Sequence, residues 1–161
     1  MMDHNDLTLT DYQALAEFRY QLRRFLRFSE QAAREAGLEP QQHQLMLAVK
    51  GALEAVGPRI SYLAERLQIQ HHSAVELVDR LARKGLIRRS RGGEDRREVN
   101  VQLTARGERV LGELTRHTRA ELRSAAPALV ATLRQLTSAT KPPKRARPKR
   151  TRKPAAISLR P

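Results

Sequence analysis

Residues 60–111 read ISYLAERLQIQHHSAVELVDRLARKGLIRRSRGGEDRREVNVQLTARGERVL, and the change of period inside this stretch decides the fold. Ser61 is placed to cap a short helix over Tyr62–Leu67. A longer helix begins near His71 and runs to Lys84, with Ala74, Leu77, Val78 and Leu81 at the three-and-four spacing of an inward-facing stripe. Gly85 closes it, and two helices joined by so short a turn have the sequence form of a helix-turn-helix. The period then becomes two. Leu86-Ile87-Arg88-Arg89 leads into the turn-rich Arg91-Gly92-Gly93-Glu94-Asp95, after which Val99, Val101 and Leu103 alternate with Glu98, Asn100 and Gln102. That pattern predicts a β-hairpin with one buried face, and a hairpin directly after a helix-turn-helix is a wing. Thr104 caps the helix that follows.

Working outward, an amphipathic helix is predicted from about Thr10 to Ala36, with Leu15, Phe18, Leu22, Phe25 and Leu26 as its apolar positions and Gly37 as its stop. Pro40 permits a second helix, roughly Gln41–Ala55, with Leu45, Leu47, Ala48 and Leu53 available for burial, and Gly57-Pro58 breaks it. Downstream, the helix capped by Thr104 is read to about Ser124, with Val110, Leu111, Leu114 and Leu122 inward, and Pro127 opens a last helix ending near Leu136. The fold class is mainly α with a small β-hairpin wing: a winged helix-turn-helix plus further helices.

The chain has 161 residues, 40% of them hydrophobic and only 4% aromatic, so its core rests on Leu, Val, Ile and Ala. Cysteine is absent, which excludes disulfides, thiol redox sensing and thiolate metal sites and fits a reducing cytoplasm. Net charge is +14 and unevenly spread. Nine Lys or Arg and no acid follow from Lys141 onward, against 22 basic and 17 acidic residues before it, a net +5 there. Such a balance predicts a polyanionic partner. No apolar run approaches the roughly 20 residues of a bilayer span, and the acidic start MMDHNDLTLTD lacks the apolar region of a signal peptide, so the expectation is a cytoplasmic, nucleoid-associated protein without a membrane partner. The segment KPPKRARPKRTRKPAAISLRP carries five prolines among its charges and almost nothing to bury, so disorder is expected there.

Within residues 60–111, Leu63-Ala64-Glu65-Arg66-Leu67, Leu77-Val78-Asp79-Arg80-Leu81, Lys84-Gly85-Leu86, Asp95-Arg96-Arg97 and Leu103-Thr104 with Gly107 resemble the DNA-binding core of the MarR family of bacterial regulators. The resemblance covers about a third of the chain. It implies a homodimer whose first and last helices interlock between subunits, giving a flexible arm at 1–9, a first dimerisation helix at 10–36, the winged helix-turn-helix at 37–103, C-terminal dimerisation helices at 104–138 and a basic tail at 139–161. It further implies a transcriptional regulator, probable only as a repressor in the family's usual manner, released by a small aromatic or phenolic effector bound between the dimerisation helices and the DNA-binding lobe. Tyr12, Phe18, Tyr62 and His43 suit either that cleft or ordinary core. Two departures stand out: Gln68 occupies a turn position where the family often has Gly, and Gln70 a cap position where Ser or Asp is common.

A recognition helix presents its N-terminal residues to base edges in the major groove, here His71, His72, Ser73, Val75, Glu76 and, further along, Arg80. Ser73 and the imidazoles can donate to bases or phosphates, Val75 can pack on a thymine methyl, and Glu76 can accept from a cytosine amino group or simply pair with Arg80 four residues on. In the wing, the resemblance gives Asp95 a bracing role and sends Arg97 into the minor groove, where a narrow A·T-rich tract concentrates negative potential. Arg91 and Arg96 suit flanking phosphates, or form a solvated charged loop. No metal site is expected, because neighbours such as His71 and His72 point about 100° apart on a helix; His43 and His117 lie on other elements. No cofactor and no enzymatic activity are expected: no nucleophile has a base at credible spacing, and Gly92-Gly93 leads into no helix. The partners expected are double-stranded DNA, a second copy of the chain and the effector. The rival reading is a sequence-tolerant architectural DNA-binding protein driven by the basic tail.

Overall fold

The computed structural model describes residues 7–52, 57–91 and 99–138. In chain order they form α1 (Leu9–Glu35), α2 (Pro40–Lys50), α3 (Ile60–Leu67), α4 (His71–Arg83), β1 (Ile87–Arg91), β2 (Val99–Leu103) and α5 (Ala105–Thr137). Strands β1 and β2 pair antiparallel, with Ile87 opposite Leu103 and Arg89 opposite Val101. The segment before α3 adds a short edge to β2 through the Arg59–Asn100 bridge and the bond from Val101 N–H to Pro58 O.

The core sits where α2, α3, α4 and the base of the hairpin meet. Leu45, Met46, Leu63, Val78, Leu81 and Val101 are sealed there, joined by Ala33 and Leu38 from the α1–α2 corner and by Leu111 and Leu114 from α5. All four inward positions expected on the second helix of the helix-turn-helix are buried: Ala74, Leu77, Val78 and Leu81. Deep burial of four such side chains stabilises the lobe by several kcal/mol, at about 1.5–3 kcal/mol for each larger one.

Four details correct the sequence reading. Ser61 does not cap α3; the helix starts one residue earlier at Ile60 with Arg59 at the cap position, so Ser61 is exposed within the first turn. Helix α2 ends at Lys50, with Gly51 accepting the end, rather than near Ala55; Leu53 lies outside the described residues. The two C-terminal helices are one, α5, which runs through Pro127. Proline inside a helix forfeits a hydrogen bond and costs about 3 kcal/mol; α5 carries it because Ala125 and Thr132, on either side, are buried. Finally, the side of α1 that packs inward is not the one expected. Ala14, Gln21, Ser29, Ala32 and Ala33 are buried and Phe18, Phe25 and Phe28 half-buried, while Leu15, Leu22 and Leu26 stay exposed.

Helices α1 and α5 run antiparallel, held by stacking of Phe28 on His117 (ring centroids 5.0 Å apart) and by Arg24 facing Glu121. Helix α1 begins with a reciprocal cap: the Thr8 side chain accepts from Asp11 N–H, and the Asp11 carboxylate accepts from Thr8 N–H. The Thr8 backbone and hydroxyl donors hold the Asp11 carboxyl below its ordinary pKa. Among the described residues no helix is long and apolar enough to cross a membrane.

Candidate nucleic-acid interface

The turn between α3 and α4 is set by Gln68, which adopts φ 53° and ψ 46° and sends its N–H back to Glu65 O. This is the left-handed conformation that the sequence anticipates, at about 1–2 kcal/mol for a residue with a side chain. Gln70 then caps α4 without a side-chain hydrogen bond. The first-turn N–H groups of α4 are thus left without that side-chain acceptor, at the end of the helix that carries partial positive charge.

On α4, His71, His72, Glu76 and Arg80 are exposed, and Ser73 and Val75 are half-buried. One solvent-facing surface therefore brings together all six residues expected on the recognition helix. Glu76 lies 3.6 Å from the Arg80 guanidinium, the pairing allowed by their spacing; with both side chains more than half exposed, the bond contributes a few tenths of a kcal/mol. Such a weak pair leaves both groups available to other partners.

The wing grows from β1 and β2. Arg91 is the last residue of β1, and Asp95, Arg96 and Arg97 lie outside the described residues. One connection between wing and helix was not anticipated: Arg89 reaches Asp79 on α4 at 2.7 Å. Strand parity explains it. Arg89 shares the face of Ile87 and Val101, which are 2% and 0% exposed, so it points toward the helices and meets Asp79 there. Reading 87, 89 and 91 as one face in the sequence would have revealed it. On the opposite face, Arg88 donates to Gln102 across the strands at 3.2 Å.

The end of α4 is fastened from two sides. Lys84 donates through Nζ to Gly37 O at 2.7 Å and to the buried Gln42 Oε1 at 3.3 Å, tying it to the α1–α2 corner. From α5, the Thr104 hydroxyl donates to Gly85 O at 2.7 Å and Arg106 to Lys84 O at 3.2 Å. Gly107 packs directly on the Leu86 carbonyl, where a Cβ has no room. The recognition surface is therefore mounted on the junction of α1, α2 and α5 rather than on a loose loop.

Comparison with known proteins agrees with this arrangement. Residues 36–98 match the model of the MarR family. No curated protein matches the chain. Among solved structures, AbsC, a MarR family transcriptional regulator from Streptomyces coelicolor, is 21% identical, with 80% of this chain and 90% of that one covered at a TM-score of 0.64. CouR from Rhodococcus jostii bound to p-coumaroyl-CoA is 20% identical over 70% of this chain and 82% of that one, at a TM-score of 0.55. The repressor CouR bound to a 23-mer DNA duplex is 24% identical over 73% and 87%, at a TM-score of 0.57. With the family's helix-turn-helix and wing found in sequence and in space, the chain is a MarR-family protein with the winged-helix fold of that family's transcriptional regulators.

Proposed function

We propose that the chain is a sequence-specific regulator of transcription that binds a pseudo-palindromic DNA site as a homodimer and acts as a repressor. The observation that carries this reading is the surface of α4, where His71, His72, Glu76 and Arg80 are exposed together while the helix's other face is locked into the core. In this reading the residues from His71 to Arg80 enter successive major grooves about one helical turn apart. Arg97 enters the minor groove, braced by Asp95, and Arg91 and Arg96 meet flanking phosphates. DNA-bound CouR supports the mode of binding by likeness of fold.

The exposed leucines of α1 support the homodimer. Leu15, Leu22 and Leu26 form a second apolar stripe beside the one that packs on α5, and Leu122, Val130 and Leu133 of α5 are 40–47% exposed as well. Apolar rows of this extent on two adjacent helices suit a subunit interface. Release of DNA by a small aromatic or phenolic molecule belongs to the same reading, supported by the ligand-bound CouR. His43 and Tyr62 line cavities, whereas Tyr12 is 59% exposed at the far end of α1.

The test is binding of the purified protein to its own upstream DNA against scrambled DNA of equal length at about 150 mM salt. Preference by about a thousandfold or more is expected, with Arg97→Ala abolishing it. Equal binding to both, lost when the segment after Thr140 is removed, would instead favour the architectural reading driven by its nine basic residues.

A further inference from the structure

A cavity of about 200 Å³ lies between α2 and α5, lined by His43, Leu47, Thr115, Thr118, Arg119 and Leu122. Two of its lining residues carry buried polar atoms with no hydrogen-bond partner among the described residues: Nε2 of His43 and Oγ1 of Thr118. Buried polar groups in folded proteins are nearly always paired, so two orphans on one cavity need an explanation. His43 is 1% exposed, which rules out solvation from the surface. Thr118 is also unusual for its helix. Thr132 and Thr137 satisfy their hydroxyls by donating to carbonyls three and four residues back, the usual recourse of a helical threonine. Thr118 makes no such bond.

We propose that this cavity is a binding site for an uncharged single-ring aromatic alcohol, whose hydroxyl bridges Nε2 of His43 and Oγ1 of Thr118. A hydroxyl both donates and accepts, so it satisfies an imidazole nitrogen and a threonine hydroxyl together. Leu47 and Leu122 offer apolar surface to the ring. A cavity of about 150 Å³ holds benzene, so 200 Å³ takes one substituted ring and not two. Charge sets the selectivity. An ionised carboxylate entering this cavity would lose its water beside an imidazole that burial keeps neutral, and Arg119, the charged residue among those lining the cavity, is exposed to solvent. Because α2 belongs to the DNA-binding lobe and α5 packs on α1, a molecule bridging them touches both sides of that seam. The inference deepens the regulator reading and rests on it only for the consequence on DNA; occupancy of the cavity is independent of it.

Calorimetric titration of the full chain, without DNA, with phenol, toluene and benzoate at pH 7.5 tests this. Phenol should bind with one molecule per chain and at least tenfold more tightly than either of the others. Thr118→Val, which preserves shape, and His43→Leu should each weaken phenol about tenfold and leave toluene within twofold. Toluene equal to phenol, benzoate tighter than phenol, or Thr118→Val without effect would each overturn the site. Operator binding is measured separately. A chain that binds phenol as described and shows no DNA preference retains the site and loses the regulator reading, whereas the converse loses only the site.

Discussion

His43 shows how one buried side chain links composition to solution behaviour. Burial pushes its pKa below the ordinary imidazole value of 6.5. The unfolded chain therefore takes up a proton near pH 6.5 that the folded chain refuses until lower pH, so its contribution to stability is fully present above about 6.5 and is lost as pH falls through the folded pKa. The urea midpoint should drop between about pH 7.5 and 5.5, and His43→Leu should flatten that part of the profile; an unchanged slope in the variant would assign the drop to other groups. In the sequence, His43 reads equally as core or as cleft. Its one-residue offset from the apolar Leu45–Met46 pair gives no sign of which way the ring points, and only the approach of α5 decides it. Gln68 is the opposite case. Its left-handed turn follows from the one-turn gap between two helices, and the structure has it at φ 53°.

At the scale of elements, those whose apolar period meets a single packing surface were legible, and those that meet two were not. Helix α4 has one inward face, and the residues expected there are buried. Helix α1 has two apolar stripes, and periodicity picked out the leucines of the exposed one because it weighs side chains by size; the smaller Ala14, Ala32 and Ala33 fit the close contact with α5. Pro127 reads as a helix start, yet tertiary packing overrides it. The wing tip, with Asp95, Arg96 and Arg97, lies outside the described residues. The fastening of α4 could not be read from spacing at all, since Lys84 and Gly37 are 47 residues apart. Lys84→Met should lower stability by about 1 kcal/mol through loss of charge-assisted hydrogen bonds. It should weaken operator binding without changing its dependence on salt, because Lys84 acts through the α1–α2 corner. A salt slope reduced by about one would make Lys84 a phosphate contact instead.

For the whole molecule, the exposed leucines of α1 and α5 make association testable without DNA. Leu26, 43% exposed, lies on the second stripe of α1, so Leu26→Arg should spare the fold of the chain and shift sedimentation from dimer to monomer. Retention of the dimer would move the interface elsewhere. The uninterrupted α5 carries a separate consequence. Its 33 residues rise about 50 Å from the Leu86 junction, and its antiparallel partner α1 accompanies it away from the lobe. Whatever follows Ser138 is therefore launched from the end remote from the recognition helix. Even fully extended, a chain advances only about 3.3–3.6 Å per residue. A positive charge less than about 14 residues beyond Ser138 thus falls short of a duplex lying along α4 of the same subunit, and the arginines near the end of the sequence have the better reach. Tether length, as much as charge, sets how the basic segment can act.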